Sequence, residues 1–529
     1  MVNGAKRLLS RANSGQTLTN ATLFISGAYL LSRLLGLLRD RLLVAHFGVS
    51  SELSAYYAAF RLPELLFTLL VSGAFAVAFI PVLTEHLQRD EQATAWKVTS
   101  SLLNLLVVGT FVGAVALIIF ADPLTRIISP GFNQQTHDLT VRLTQIMAIT
   151  PLLFAISSVL GSVQQAFNRF VIFSLAGILY NVGIIIGIVA LTPHFGVYGA
   201  AYGVVFGVVL QAVLQWLGLY GLGFKYQPVI NFKLAGVITT LKLMVPRSID
   251  QGIDQINYSV ETIIGSTINQ GAIAQFALAN NLKNVPLALI GGSITTAIFP
   301  RLAARASGGQ RQQLIEAYVQ TARIILFLAI PSALFALVAR GYIVRLLYGF
   351  GDQATANTLG WFTGTIVFTS LFMLVSRVYF AMQDTRTPLY LSLGSIPLNI
   401  VLSIILSKRF GVVGLAMSAS IVSVLETSGL LIILRLRYGR FGELKIWQGA
   451  WRMLIAGGVM LGALYPLITQ VIPLFANDKG IIALMPKFII IVIVALITYL
   501  VPCYILRLNE AKHLTARVRV LLSRQLNLT

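Results

Sequence analysis

Charge is scarce in this sequence. Only 11% of its 529 residues are Asp, Glu, Lys or Arg, against roughly 25% in a soluble domain. No polar run is long enough to form a domain in water. The single cysteine, Cys503, excludes a disulfide framework and a cysteine-built metal centre. Five histidines (His46, His86, His137, His194 and His513) are scattered without metal-ligand spacing. There is no GxxxxGK(S/T) loop, which argues against ATP as the direct energy source. Gly291-Gly292-Ser293 reads as a helix-packing signal rather than a phosphate loop. No enzyme motif survives, and a non-enzymatic role is expected.

Long apolar runs are what the chain has in abundance. Hydrophobic residues make up 57% and the mean hydropathy is +0.82. A helix needs about 20 apolar residues to cross a bilayer. Fourteen stretches qualify, near 21–45, 55–83, 98–121, 140–167, 171–191, 198–221, 236–264, 271–299, 317–340, 357–382, 387–407, 411–434, 448–472 and 481–506. The expected fold is an all-α polytopic membrane protein with about fourteen spans. The first stretch is too long for a signal peptide, holds Arg33 and lacks a cleavage site, so it reads as a retained span.

The net charge of +21 follows from topology. Connections on the side of the N-terminus hold 21 Lys and Arg; the opposite connections hold 6. By the positive-inside rule both termini are expected in the cytoplasm. The basic ends, Lys6, Arg7 and Arg11 with Lys512, Arg517, Arg519 and Arg524, would attract anionic headgroups of the lipid bilayer. No nucleic-acid partner is expected, because the basic residues are not interleaved with aromatics.

The chain also repeats itself. Phe195-Gly196-Val197-Tyr198-Gly199-Ala200-Ala201 returns as Phe410-Gly411-Val412-Val413-Gly414-Leu415-Ala416, an offset of 215. Asn181 is echoed by Asn399, and Phe79-Ile80-Pro81 by Ile298-Phe299-Pro300, the prolines at an offset of 219. The repeat unit is six spans. An even number gives both copies the same orientation, related by an axis along the membrane normal. This predicts an N-lobe (1–222, spans 1–6), a C-lobe (223–440, spans 7–12) and a terminal segment (441–529) holding spans 13–14 and a basic tail. Such duplication suggests a transporter with a path between similar lobes.

Ionisable groups inside spans are expensive and therefore candidates for function. Span 1 carries Arg33 and then Arg39-Asp40-Arg41. Arg33 lies deeper and reads as lining a polar cavity. The Arg39–Arg41 run reads equally well as interfacial, with snorkelling tips. Span 2 carries Arg61 and Glu64, three apart on one face. Span 7 holds Arg247, Asp250, Asp254, Asn257 and Glu261 in one helical stripe. Two readings of it stand: ion pairing, most directly Arg247 with Asp250, or a cation or proton site, since carboxylates and amides ligate hard cations. Glu261 has no base nearby in sequence and reads as a coupling group. Asn280, Asn281 and Lys283 open span 8, with Lys283 the cation best placed for a ligand. Asn399, Ser403 and Ser418 put polar atoms on spans 11 and 12, and Glu426 reads as helix–helix glue.

Several of these segments resemble the MurJ/MviN family of lipid II flippases in the MOP superfamily. They are Ser32-Arg33-Leu34-Leu35-Gly36-Leu37-Leu38-Arg39-Asp40, Ala55-Tyr56-Tyr57-Ala58-Ala59-Phe60-Arg61-Leu62-Pro63, and Gly73-Ala74-Phe75 with Ala78-Phe79-Ile80-Pro81. Leu347-Tyr348-Gly349-Phe350 and Asp384-Thr385-Arg386-Thr387-Pro388 look like later signatures. The resemblance implies export of a lipid-linked peptidoglycan precursor across the bacterial plasma membrane. Transport would run by alternating access, driven by membrane potential or a cation gradient, with Na+ or H+ as coupling ion and no other cofactor. It carries the family's cavity arginines to Arg33, Arg39 and Arg61, with Lys283, Asn280 and Asn281 completing a pyrophosphate and head site. It places a cation set at Asp254, Glu261, Asn399 and Ser403, with Na+ at Glu261 and Asn399. It further implies a groove for the lipid tail at spans 13–14. A monomer is expected.

The sequence departs from the family pattern at Ser54, Phe67 and Ser72, at Asn280-Asn281 and at Ser403, where the family carries charge. Either the grip on the head is rearranged, with Lys283 substituting, or the cargo differs. Another polyprenyl-pyrophosphate-linked glycan, a small-molecule or cation antiport substrate, and a non-transporting scaffold are the alternatives.

Overall fold

Backbone amides in hydrocarbon have no water to bond, so a spanning segment must satisfy them internally, as a helix does. The computed structural model describes residues 18–475, 478 and 480–511, and all regular structure among them is helical. The basic ends named above, together with His513 and Lys479, lie outside the described residues, as do the side chains of Ser72, Gly73, Ala74, Arg247 and Asp250. Twelve helical segments among the described residues are long and apolar enough to cross a membrane. Two further long helices, Leu18–Phe47 and Ala235–Ile268, stand where spans 1 and 7 were expected, so the number of long segments is fourteen. These two are the helices that carry the charge runs.

The repeat is visible in the breaks between helices. In the first copy a short helix, Ala121–Ile128, separates spans 3 and 4; in the second, Arg340–Tyr348 separates spans 9 and 10. Asn133 then caps span 4 by accepting from the Thr136 N–H at 2.9 Å. Asp352, 219 residues on, caps span 10 by accepting from Thr355 N–H at 2.7 Å. Left-handed residues recur too: Asn168 (φ 58) with Gln383 (φ 64), and Asp90 (φ 60) with Gly309 (φ 66).

The Phe-Gly-Val echo proves to be a tight joint. Gly196 has φ 57 and ψ −140; Gly411 has φ 60 and ψ −140. Only glycine adopts that region without strain. Three residues later the next span passes directly over the last turn of the one before. A Cβ on Gly199 would lie 2.4 Å from Thr192 N; one on Gly414 would lie 2.4 Å from Leu406 C. Past the joint the copies diverge. Spans 5 and 6 press backbone to backbone, with a Cβ on Gly187 only 2.2 Å from Gly203 Cα. In the second copy the counterpart of Gly203 is Ser418, and the contact becomes polar. Ser418 Oγ donates to Asn399 Oδ1 at 2.8 Å, and Ser403 Oγ to the same oxygen at 3.4 Å.

The chain forms two compact units, Met1–Ala274 and Gln275–Thr529. The first holds spans 1–7 around Phe75, Phe79, Leu83, Trp96, Val159 and Val163, with Val237 and Met244 of span 7 in the same core. The polar connection after residue 222 explains why span 7 stays there. It is pinned to span 3 by Asn104 Nδ2, which donates to the carbonyls of Gln227 and Val229 at 3.1 and 3.0 Å, and by Ser100 and Ser101, which accept from Gln227 and Asn231. Packing thus divides the chain one span later than the sequence repeat does. In the second unit, span 13 lays Met453, Ala456 and Met460 against span 9. Arg323 of span 9 pairs with Glu510, beyond span 14, at 2.6 Å. Gly291 lets span 8 close on span 10, a Cβ there meeting Met373 and Ser370 at 3.0 Å.

Two predictions follow from these joints. Gly414→Val should destabilise the protein by about 1–3 kcal/mol, because its side chain would enter a backbone. Gly458→Val, where a Cβ meets open space, should not; thermal unfolding in detergent compares them. The second concerns the Asp384 turn. Its carboxylate accepts from Arg386 N, Thr387 N and Thr387 Oγ1 and pairs with Arg437 at 3.1 Å. Burial alone would raise its pKa; the Thr387 hydrogen bonds and the Arg437 charge outweigh that and hold the carboxyl below its ordinary value. A depressed carboxyl contributes stability above the unfolded value, near 4, and loses it as pH falls through the folded one. Asp384→Ala should cost about 1–2 kcal/mol at pH 7, and its deficit against wild type should shrink below about pH 4.

Candidate functional site

Span 1 brings its two deep arginines into different surroundings. Arg39 donates from Nε and Nη2 to Asp40 Oδ1 at 3.0 and 2.8 Å, and from Nη1 to Asn181 Oδ1 at 3.4 Å. Asp40 is buried at 1% exposure and also accepts from the Tyr57 hydroxyl at 3.4 Å. Asn181 in turn donates to Ser32 O and Oγ, both at 3.2 Å, so the cluster ties spans 1, 2 and 5 together. Arg39 is thereby largely committed to holding a buried carboxylate. Arg33 is not. It is exposed, it bonds only Tyr29 Oη one turn earlier, at 2.8 Å, and no carboxylate among the described residues pairs with it.

Arg61 joins span 2 to span 7. Its Nε donates to Thr262 Oγ1 at 3.0 Å, its Nη1 reaches Glu64 at 3.4 Å, and its guanidinium lies 5.3 Å from the centre of the Tyr258 ring. On span 7, Asp254 is exposed, Asn257 half-buried and Glu261 buried. The stripe therefore runs from the surface of the first unit into its interior.

The second unit carries the rest. Lys283 is buried, its Nζ 4.3 Å from the centre of the Phe362 ring on span 10. Asn280 is buried, its Oδ1 accepting no hydrogen bond, while Asn281 is half-buried. Asn399 and Ser403, 4% and 0% exposed, belong to the polar knot with Ser418 described above. The expected cation set is thus divided: Asp254 and Glu261 belong to the first unit, Asn399 and Ser403 to the second. No cluster of three His, Cys, Asp or Glu suited to a metal occurs among the described residues.

A family model for the lipid II flippase MurJ matches residues 43–501. The chain belongs to the MurJ family. A lipid II flippase MurJ of Burkholderia cenocepacia is 27% identical over 461 residues, covering 84% of this chain and 89% of that protein. A solved structure described as lipid II flippase MurJ in an inward closed conformation matches with a TM-score of 0.75 at 23% identity, over 92% of this chain and 99% of that one. An inward-facing multidrug-resistance MATE transporter of the MOP superfamily matches with a TM-score of 0.66 at 16% identity, over 78% of this chain and 96% of that one. At these identities the two structures show a shared fold. The family is one of membrane transporters rather than of catalysts, and the chain is a multi-pass membrane protein.

Within the MurJ family the neutral positions acquire a physical account. Ser54 is fully buried and its Oγ accepts from the Ala274 N–H at 3.3 Å, in the first turn of span 8. It satisfies an orphan helix donor. Phe67 packs tilted against Phe154, ring centres 5.2 Å apart, and Phe154 meets Tyr180 at 5.4 Å. Both positions serve packing here. Sequence reasoning overlooked Tyr29, Tyr258 and Tyr57, the aromatic partners of Arg33, of Arg61 and of the buried acid Asp40. The one signal available was the four-residue spacing of Tyr29 and Arg33, one helical turn.

The two arginines should separate in a stability measurement. Arg39→Ala strands Asp40 and should cost about 3 kcal/mol. Arg33→Ala should leave the melting temperature close to wild type, since Arg33 holds no buried charge.

Proposed function

We propose that this chain flips lipid II, the lipid-linked peptidoglycan precursor, from the inner to the outer leaflet of the bacterial plasma membrane by alternating access. The observation that carries this reading is Arg33, an unneutralised guanidinium on span 1 in a chain that the family model matches over nearly its whole length. The head of such a lipid is a pyrophosphate bearing sugars and peptide, and it cannot enter hydrocarbon undressed. A guanidinium fork suits a phosphate bidentately. Arg33 is the primary contact in this reading, Arg61 and Lys283 support it, and Arg39 acts mainly by fixing span 1. Asn280 and Asn281 would meet the uncharged part of the head.

The tail has a place in the same scheme. Spans 9, 10, 12 and 13 enclose a cavity of about 560 Å³ lined by Leu326, Ile330, Val367, Leu371 and Leu454. It is apolar, and span 13 from outside the repeat closes one wall. The polyprenyl chain would lie there while the head stays among the polar groups. Both termini face the cytoplasm in this reading, and the chain works as a monomer. Coupling to membrane potential, at about 2.3 kcal/mol per charge per 100 mV, or to Na+ or H+ at Glu261, with Asp254 on the same helix, would reset the carrier. Ser54 and Phe67 give no reason to invoke a different glycan, because packing accounts for both.

The test is complementation of a bacterium depleted of its lipid II flippase. Wild type should rescue growth, and Arg33→Ala should fail at equal membrane insertion. Failure of well-inserted wild type would transfer the reading to another polyprenyl-linked glycan. Glu261→Gln should abolish any dependence of flipping on the cation gradient; unchanged dependence would remove Glu261 from coupling.

A further inference from the structure

The second unit holds an arginine that the flipping mechanism does not use. Arg340 opens the short helix between spans 9 and 10, at the end of the unit opposite the Asp384 turn. It is half-buried, and among the described residues no carboxylate pairs with it. Its Nη1 donates to Leu337 O at 2.6 Å and its Nε to Asn357 Oδ1 at 3.3 Å, which leaves Nη2 without a bond. Gly360 of span 10 clamps the stem, a Cβ there lying 3.0 Å from Arg340 Cδ. The guanidinium is held in place, charged and unneutralised, where such a group is costly unless it meets an anion.

Two cavities flank it. One, of about 800 Å³, is walled by Val338, Leu461, Gly462, Ile468 and Leu474. The other, of about 620 Å³, is walled by Gly360, Trp361, Phe410 and Val413. Arg340 and Leu337 line both. Tyr465, Trp361 and Phe410 border these cavities at 65%, 50% and 51% exposure, the placement of aromatics at a membrane–water interface. In the first copy the counterpart of Arg340 is Ala121, and Leu461 to Leu474 belong to the unrepeated span 13 and its following turn. Charge and cavity wall were both added to the same lobe, and they meet here.

We propose that Arg340 binds the phosphate of a diacyl phospholipid from the adjacent leaflet, one acyl chain entering each cavity. One cation between two cavities whose walls are mainly apolar matches one phosphate between two chains. A polyprenyl-linked lipid, with a single chain, would leave one cavity empty. The site is separate from the path proposed for the transported head and does not depend on it.

Native mass spectrometry of the purified, delipidated protein with added phosphatidylglycerol tests this. Wild type should retain the lipid. Arg340→Gln should weaken retention roughly tenfold, the scale of a lost charge-assisted hydrogen bond. Gly462→Leu fills open space in the larger cavity while keeping the arginine, and should weaken it as well. Diacylglycerol, lacking phosphate, should bind less than phosphatidylglycerol. Equal retention by wild type and both variants would overturn the site. Displacement of phosphatidylglycerol by a lower concentration of polyprenyl phosphate would overturn the assignment of its occupant.

Discussion

A guanidinium inside an apolar helix either finds a counter-charge or opens onto a polar space. Span 1 carries two such groups in different surroundings, six residues apart. Arg39 finds its counter-charge, with Asp40 beside it and Asn181 and Tyr57 completing the bonds. Arg33 is exposed and bonds the Tyr29 hydroxyl, with no carboxylate among the described residues paired to it. The consequence is a division of labour. The neutral cluster at Arg39 fixes the position of span 1 against spans 2 and 5, and that fixed helix presents Arg33. A loose span 1 would present the same charge without direction, and positioning within fractions of an ångström is what a binding group requires.

The same constraint separates the two charge-bearing helices from the other twelve. Spans 1 and 7 are the long helices whose apolar runs are interrupted by the charge runs Arg33 to Arg41 and Arg247 to Glu261. Both belong to the first compact unit, where Arg61 reaches from span 2 to Thr262 on span 7. Span 7 heads the second copy of the repeat by sequence yet packs with the first copy. The reason lies in the connection before it, whose backbone is held by Asn104, Ser100 and Ser101 of span 3. Hydrogen bonds to an exposed linker therefore decide where the packing unit ends.

Much of this was legible in the residues alone. Hydropathy marks the spans because in hydrocarbon a helix is the way an isolated segment satisfies its backbone. The Phe-Gly-Val echo marks a joint because no other residue fits the backbone of Gly196 and Gly411. What the residues did not reveal were roles set by neighbours distant in sequence. The Arg39–Arg41 run reads equally well as interfacial; what ties Arg39 to span 5 is Asn181, 142 residues away. Ser54 reads as a lost charge, and only its bond to Ala274 shows it as a helix cap. Asn399 and Ser403 read as ligands, whereas their mutual bonds with Ser418 make them equally a packing device.

Duplication leaves two copies free to diverge wherever the shared joints do not depend on the residue. Gly199 and Gly414 cannot change, since each faces a backbone at 2.4 Å. One turn further on, that restriction lifts. Gly203 keeps close backbone contact in the first copy, while Ser418 converts the contact to a hydrogen-bonded one in the second. A polar contact at that depth is worth only about 1 kcal/mol. It nevertheless turns Asn399 toward the next span of its own copy, whereas its echo Asn181 in the first copy bonds Arg39 and Ser32 of span 1. Ala121 and Arg340 diverge in the same way at the far ends of the third span of each copy. The asymmetry a carrier needs between its halves thus arises at positions outside the shared joints, at little cost to the fold that both copies share.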